Sequence, residues 1–164
     1  IAAMGMVAHC AALILDLRSN GGGDEAMATF LSSYLFAKST HLLDVEVPSE
    51  HRLQQDRTLE WVPGTRLVDV PVYILQNRLS YSSSEHLAFS LQQAGRAVVV
   101  GERTRGGVHA VRYLSFPELG VNIRVPYTNT FKPHTRQSYL DGVVPDVPSS
   151  SEDSPMSRSS RAGA

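Results

Sequence analysis

Four serines fall within five positions, Ser80, Ser82, Ser83 and Ser84, in the stretch LSYSSSEHLAFSLQQAG, and Glu85 follows them at the head of an apolar helical pattern. A serine hydroxyl becomes a nucleophile when a base takes its proton. At a strand-to-helix junction it also lies at the positive end of the helix, among N–H groups able to stabilise an oxyanion. The same residues read equally as a helix N-cap, with Ser82 capping and Glu85 completing a capping box three residues later. On this stretch alone both readings stay open. A second suggestive stretch is DLRSNGGGD, in which three consecutive glycines lead into a helix. They either serve a tight turn that needs positive φ or leave backbone N–H groups open to an anion. The Lys-Ser/Thr ending of a P-loop and the G-x-G-x-x-G spacing of a dinucleotide turn are both missing, which argues against a phosphate cradle.

These loops need elements to hold them. AALILDLR (11–18) is a compact apolar run and reads as a buried strand. After the glycines, residues 24–36 place Met27, Phe30, Leu31, Tyr34 and Leu35 on one helical stripe, with Asp24 and Glu25 in the first turn. LLDVEV (42–47) alternates like a strand, whereas 48–69 is polar and reads as a long connection with a short extended piece. VPVYIL (70–75) is a second buried strand. It leads through the serines into a helix near 83–94, striped by Leu87, Ala88, Leu91 and Ala94 and stopped by Gly95. AVVVGE (97–102) is a third buried strand, and shorter strands are expected in VHAVRYLSF, VNIRVPY and near 130–136. Strands alternating with helices predict an α/β layered domain whose sites lie at the strands' C-terminal ends.

The chain has 164 residues, 42% hydrophobic and 19% charged, enough for one domain with a real core. A net charge of −1 without a basic stripe gives no electrostatic reason to expect nucleic acid. The single cysteine, Cys10, excludes an internal disulfide and reads as a small core residue. No metal-ligand spacing is visible. The tail SSSEDSPMSRSSRAGA (149–164) has too little apolar surface to order itself and is expected to be disordered.

Taken together, ALILDLRSNGGG, then VYILQNRLSYSSSEHLAFSLQQAGRAVVVGERTRGG, then DGVVPDV resemble in order and spacing the tail-specific, or C-terminal-processing, serine peptidases of family S41. Within the family they resemble the branch of the tricorn core and the interphotoreceptor retinoid-binding modules. The resemblance implies a ClpP/crotonase-like fold of stacked ββα units in a single layered domain. It implies no cofactor, and a polypeptide substrate cut near its C-terminus, in a periplasmic or extracellular setting. Ser82 takes the family's nucleophile position and Glu85 its glutamate. Ser83 then supplies one oxyanion N–H, and Gly22 or Gly23 of the Gly21–Gly23 loop the other. Ser80 and Ser84 read as fillers of a polar loop.

The base departs from the family's lysine pattern. The segment reads GERTRGG, with Gly107 where many members carry lysine, and neither Lys38 nor Lys132 lies in a matching motif. The other branch uses a histidine, which the resemblance places upstream of this chain. His9 is too close to the strand to match, and His86 and His109 read as surface or loop residues. A further acid of related members lies near Tyr139, and Asp141 is the nearest candidate. The chain begins at Ile1. Residues 1–148 are therefore expected to be the C-terminal part of a catalytic domain truncated at its N-terminus. The alternative function is a non-catalytic module of the same fold that binds a hydrophobic ligand or a peptide.

Overall fold

The computed structural model describes residues 1–107 and 109–150. The serine-rich stretch expected to be disordered lies outside them from 151 on. Its first residue, Ser149, donates its N–H to Gly101 O at 2.9 Å.

The protein is mixed α/β. After the short helix α1 (Ala2–Met6) come β1 (Leu13–Asp16), α2 (Glu25–Ser33), β2 (His41–Val47), β3 (Arg52–Arg57), β4 (Val72–Gln76), α3 (Ser83–Gln93) and β5 (Val98–Gly101). The chain then runs through β6 (Val111–Phe116), β7 (Val121–Pro126), β8 (Asn129–Phe131) and β9 (Val147–Pro148). A parallel sheet in the order β1-β4-β5-β9 forms the centre. The register pairs Leu15 with Ile74 and Ile74 with Val99. β3-β2-β8 form a second sheet, and β6-β7 an isolated hairpin. Val72, Ile74 and Val99 join Tyr34, Leu35, Leu43 and Leu91 in one hydrophobic core.

Local chemistry explains the two long helices. Asp24 caps α2, its carboxylate accepting from Ala26 N–H at 2.8 Å. The stripe read from sequence is off by one position at its start. Ala28 is buried, whereas Met27 is 62% exposed. α3 ends at Gly95, φ +66, where Gly95 N–H bonds Gln92 O and Arg96 N–H bonds Leu91 O. That pairing is a Schellman stop and needs the left-handed conformation glycine adopts without cost. α3 is buried on every face from Ser83 to Leu91, so its polar residues require partners inside the protein.

Residues 58–70, which carry no regular pattern in sequence, form a strap held by two arginines. The Arg66 guanidinium donates to Ser33 O and Phe36 O at 2.6 Å, and to Glu60 O at 2.7 Å. These include carbonyls that the end of α2 leaves without intrahelical partners. Arg96 donates to Leu35 O, Leu67 O and Val70 O at 2.5–2.7 Å. Its pKa is lowered by desolvation. The extended piece expected within 48–69 is β3, antiparallel to β2.

Candidate active site

β1 and β4 are parallel neighbours, so the loops that follow them emerge at the same edge of the sheet. This brings the glycine loop onto the serine turn, although 60 residues separate Gly22 from Ser82. Gly22 has φ +96, and a Cβ placed on it would stand 2.6 Å from Ser82 Cβ, 2.8 Å from Tyr81 O and 3.0 Å from Ser83 N. Only glycine fits there, on grounds of both conformation and space.

Ser82 is the N-cap of α3 and half-buried. Its backbone sits at φ +59, ψ −127, a region that costs a non-glycine residue roughly 1–3 kcal/mol. The surroundings hold it there. Tyr81 N–H donates to Asn20 O at 2.9 Å, and Ser82 N–H donates to Glu85 Oε2 at 2.9 Å. The acidic half of the capping box is therefore present.

Two serines read from sequence as loop fillers are in fact structural ties. Ser80 is 1% exposed; its hydroxyl donates to Leu17 O at 2.7 Å and accepts from Asn77 N–H at 3.1 Å. Ser84 is 4% exposed, and its hydroxyl lies 2.9 Å from both Asn20 O and Tyr81 O. Buried hydroxyls must be hydrogen-bonded, and these satisfy themselves by binding the glycine loop to the serine turn. Two further serines at this junction thus have a physical reason.

Three N–H groups border the turn. That of Gly22 is bonded to Asn20 Oδ1 at 2.8 Å. Those of Gly23 and Ser83 carry no hydrogen bond among the described residues. Gly23 is exposed, and a Cβ on it would lie 3.9 Å from Ser83 Oγ.

Glu85 is fully buried. Besides Ser82 N–H, it accepts from Gly106 N–H at 2.7 Å and from the Thr104 hydroxyl. The Thr104 hydroxyl in turn accepts Val143 N–H at 2.7 Å. One carboxylate thus joins the serine turn to the GERTRGG loop and, through Thr104, to the loop before β9. Gly107 N–H bonds Leu140 O at 2.8 Å. Asp141 lies on this last loop with its side chain exposed, its backbone packed on Gly106.

His86 corrects the sequence reading, which put it at the surface. It is 4% exposed within α3. Its Nε2 lies 2.8 Å from Asp56 Oδ2 of β3, and its Nδ1 is 3.4 Å from the Tyr139 hydroxyl. Thr29 of α2 donates to Asp56 Oδ1 at 3.0 Å. Burial is the main reason the Tyr139 pKa is raised well above the ordinary 10.0, with Glu25, Glu85 and Asp56 adding to it. Sequence gave no signal for this network, because its members come from α2, β3, α3 and a loop some 50 residues beyond α3. His109 is a half-buried loop residue whose Nδ1 meets Thr128 O. His9 is exposed, and Cys10 packs against the core. Among the described residues no cluster of three or more His, Cys, Asp or Glu side chains is arranged to hold a metal.

The model of peptidase family S41 matches residues 2–149. The tail-specific protease of Haemophilus influenzae is 30% identical over 144 residues, which make up 83% of this chain and 20% of that protein. A carboxyl-terminal-processing protease of Synechocystis is 30% identical over 135 residues, 81% of this chain and 30% of that protein. Among solved structures, a photosystem II D1 C-terminal processing protease superposes with a TM-score of 0.68 at 25% identity, over 85% of this chain and 35% of that one. The chain thus spans about a fifth to a third of the length of these relatives.

Proposed function

The chain belongs to peptidase family S41, and from that premise we propose that it carries the nucleophile and oxyanion hole of a serine peptidase that cuts polypeptides near their C-termini. Ser82 attacks the scissile carbonyl. The tetrahedral oxyanion is held by the Gly23 and Ser83 N–H groups, while Gly22 supplies the space for the two loops to meet. Each such donor contributes on the order of 3 kcal/mol to the transition state in comparable enzymes. Glu85 is the positioning carboxylate that fixes the Ser82 amide and, with it, the strained turn. The observation that carries this reading is the seating of Ser82, at positive φ, directly against Gly22. Such strain persists only where the surroundings over-determine it, and it clusters at functional sites.

The general base in this reading is a histidine from outside residues 1–164. Gly107 stands in the family's lysine position, and both ring nitrogens of His86 already face partners. Asp141 keeps a place only as an exposed acid near the site. The strand–loop–helix units β1–α2 and β4–α3, with their helices packed together, support a ClpP/crotonase-like arrangement of stacked units. The test is Ser82→Ala in the full-length protein, which carries the base: peptide cleavage is lost while the unfolding midpoint stays within experimental error. Full residual cleavage excludes Ser82 as nucleophile.

A second reading, a non-catalytic binding module on the same fold, is favoured by Gly107 alone. A fluorophosphonate probe separates the two. A covalent adduct on Ser82 supports the peptidase. An unlabelled protein stabilised by a lipophilic ligand supports the binding module.

A further inference from the structure

We infer that the cavity between the second sheet and helices α2 and α3 binds an organic cation, an ammonium or guanidinium group carried on an aliphatic stem. The inference stands apart from the peptidase reading, because neither the cavity nor its test involves Ser82. One face of the β3-β2-β8 sheet forms the floor. The antiparallel register places Thr130 of β8 opposite Val45 of β2, and Val45 opposite Gln54 of β3. Residues two apart on a strand share a face, which adds Val47 and Asp56 to the same wall. α2 closes the other side with Glu25, Ala26 and Thr29, and α3 with His86. The space between these layers is about 470 Å³. Layers of a domain ordinarily pack closely, with few voids larger than a water molecule, and this volume lies in the range of ligand sites.

The wall is charged in one sense. Glu25 and Asp56 bring carboxylates to it, and that of Glu25 has no hydrogen-bond or ion-pair partner among the described residues. Asp56 accepts from the Thr29 hydroxyl at 3.0 Å and faces His86 Nε2 at 2.8 Å. A neutral imidazole with its proton on Nε2 serves both of its contacts, donating to Asp56 and accepting from the Tyr139 hydroxyl. The Asp56 charge is then bonded without being cancelled. Arg52 brings a guanidinium to the wall, but it is ion-paired with Glu50 at 3.0 Å. The excess negative charge reaches Tyr139, whose pKa is raised first by burial and then by the Glu25, Glu85 and Asp56 carboxylates.

Thr130 points to a ligand independently. It is 6% exposed and lines the cavity, yet its hydroxyl has no partner among the described residues. Buried hydroxyls are ordinarily hydrogen-bonded, so this one is an acceptor held in reserve. Val45, Val47 and Ala26 supply apolar surface beside it. A cation on a hydrocarbon stem matches both parts, its stem on the apolar residues and its N–H groups on the carboxylates and the hydroxyl. An inorganic cation does not match, since among the described residues no three His, Cys, Asp or Glu side chains are arranged to hold a metal. The group is carried either by a free amine or guanidine or by a Lys or Arg side chain of a polypeptide; the chemistry is shared, and the test separates the sources.

An amide NMR titration of the whole chain reads both affinity and place. The probes are butylguanidinium and pentylammonium as cations, hexanol as the neutral chain and hexanoate as the anionic one. Both cations are expected to shift the Val45, Gln54 and Thr130 amides and to bind about tenfold more tightly than hexanol, with hexanoate weaker still. Thr130→Val removes a hydroxyl that the fold does not bond, and Glu25→Gln a charge at the surface end of the cavity. Each is expected to weaken both cations by about threefold or more, while Glu118→Gln, on the turn between β6 and β7, changes them by less than about twofold. The peptide acetyl-Ala-Ala-Arg-Ala-Ala-amide decides the source. Tighter binding than butylguanidinium assigns the cavity to a polypeptide side chain, and equal or weaker binding assigns it to a free small molecule. Hexanol binding as well as the cations, shifts confined to residues away from the cavity, affinity unaltered in either variant, or no cation binding up to about 10 mM overturns the inference.

Discussion

Replacing Glu85 with glutamine exchanges one oxygen for an NH2 group, which nearly preserves size and shape but not the hydrogen-bonding logic. The carboxylate receives three donors at a site with no solvent access: Ser82 N–H on one oxygen, Gly106 N–H and the Thr104 hydroxyl on the other. A glutamine offers one acceptor oxygen and an NH2 that only donates. If its oxygen faces Gly106, the NH2 opposes Ser82 N–H; flipped, it opposes Gly106 N–H. The threonine hydroxyl can rotate, but the two backbone donors cannot. One buried N–H is orphaned either way, at about 1–3 kcal/mol, and the remaining bonds lose their charge assistance. The expected loss for Glu85→Gln is therefore about 2–4 kcal/mol, read as a lower urea midpoint at unchanged slope. The freed Ser82 amide also lets the turn relax from φ +59, so fluorophosphonate labelling of Ser82 slows. A variant within about 0.5 kcal/mol of the parent, labelled at the parent rate, would refute the positioning role and leave Glu85 as a simple helix cap.

Other consequences follow from the same geometry. Gly22→Ala must accommodate a Cβ at 2.6 Å from Ser82 Cβ and a positive φ; it is expected to cost about 2–4 kcal/mol and to abolish Ser82 labelling, whereas Gly21→Ala, with nothing within 4 Å of its added Cβ, leaves both largely intact. Tyr139 gives an alkaline signature, because its folded-state pKa is raised above 10.0 by burial. Below that value both states hold the proton; above it only the folded state does, so its contribution to stability falls by about 1.4 kcal/mol per pH unit until the folded pKa is passed. Tyr139→Phe is expected to flatten that limb while costing less than about 1 kcal/mol at pH 7, since the 3.4 Å contact to His86 is weak. Arg66→Met leaves the Ser33, Phe36 and Glu60 carbonyls without their donor and is expected to cost about 2–4 kcal/mol and to raise protease sensitivity within 58–70.

The glycine loop and the serine turn were legible in sequence because their signals are local. Leucine-rich runs, a glycine triplet and a serine–glutamate spacing each act within a few residues, and the parallel pairing of β1 with β4 turns two local signals into one site. What escaped the sequence is held by contacts with no local signature. The Ser80 and Ser84 hydroxyls bond carbonyls more than 60 residues away. The polar run containing Asp56 looks like a solvated connection until β3 brings it against His86. His86 lies on a helix face that would be wet on an ordinary amphipathic helix, and α3 is buried all round instead. Met27 fits the apolar period yet is exposed, because periodicity reports a side chain's place on the helix and not what the helix packs against.

In the proposed mechanism two loops from parallel strands converge so that the Ser82 hydroxyl faces the Gly23 and Ser83 amides. A crystal structure of the protein with a peptide boronic acid measures this directly. It is expected to show boron bonded to Ser82 Oγ, with a boron oxygen about 3 Å from the nitrogens of Gly23 and Ser83. An adduct on a different side chain, or that oxygen turned to solvent, would contradict it.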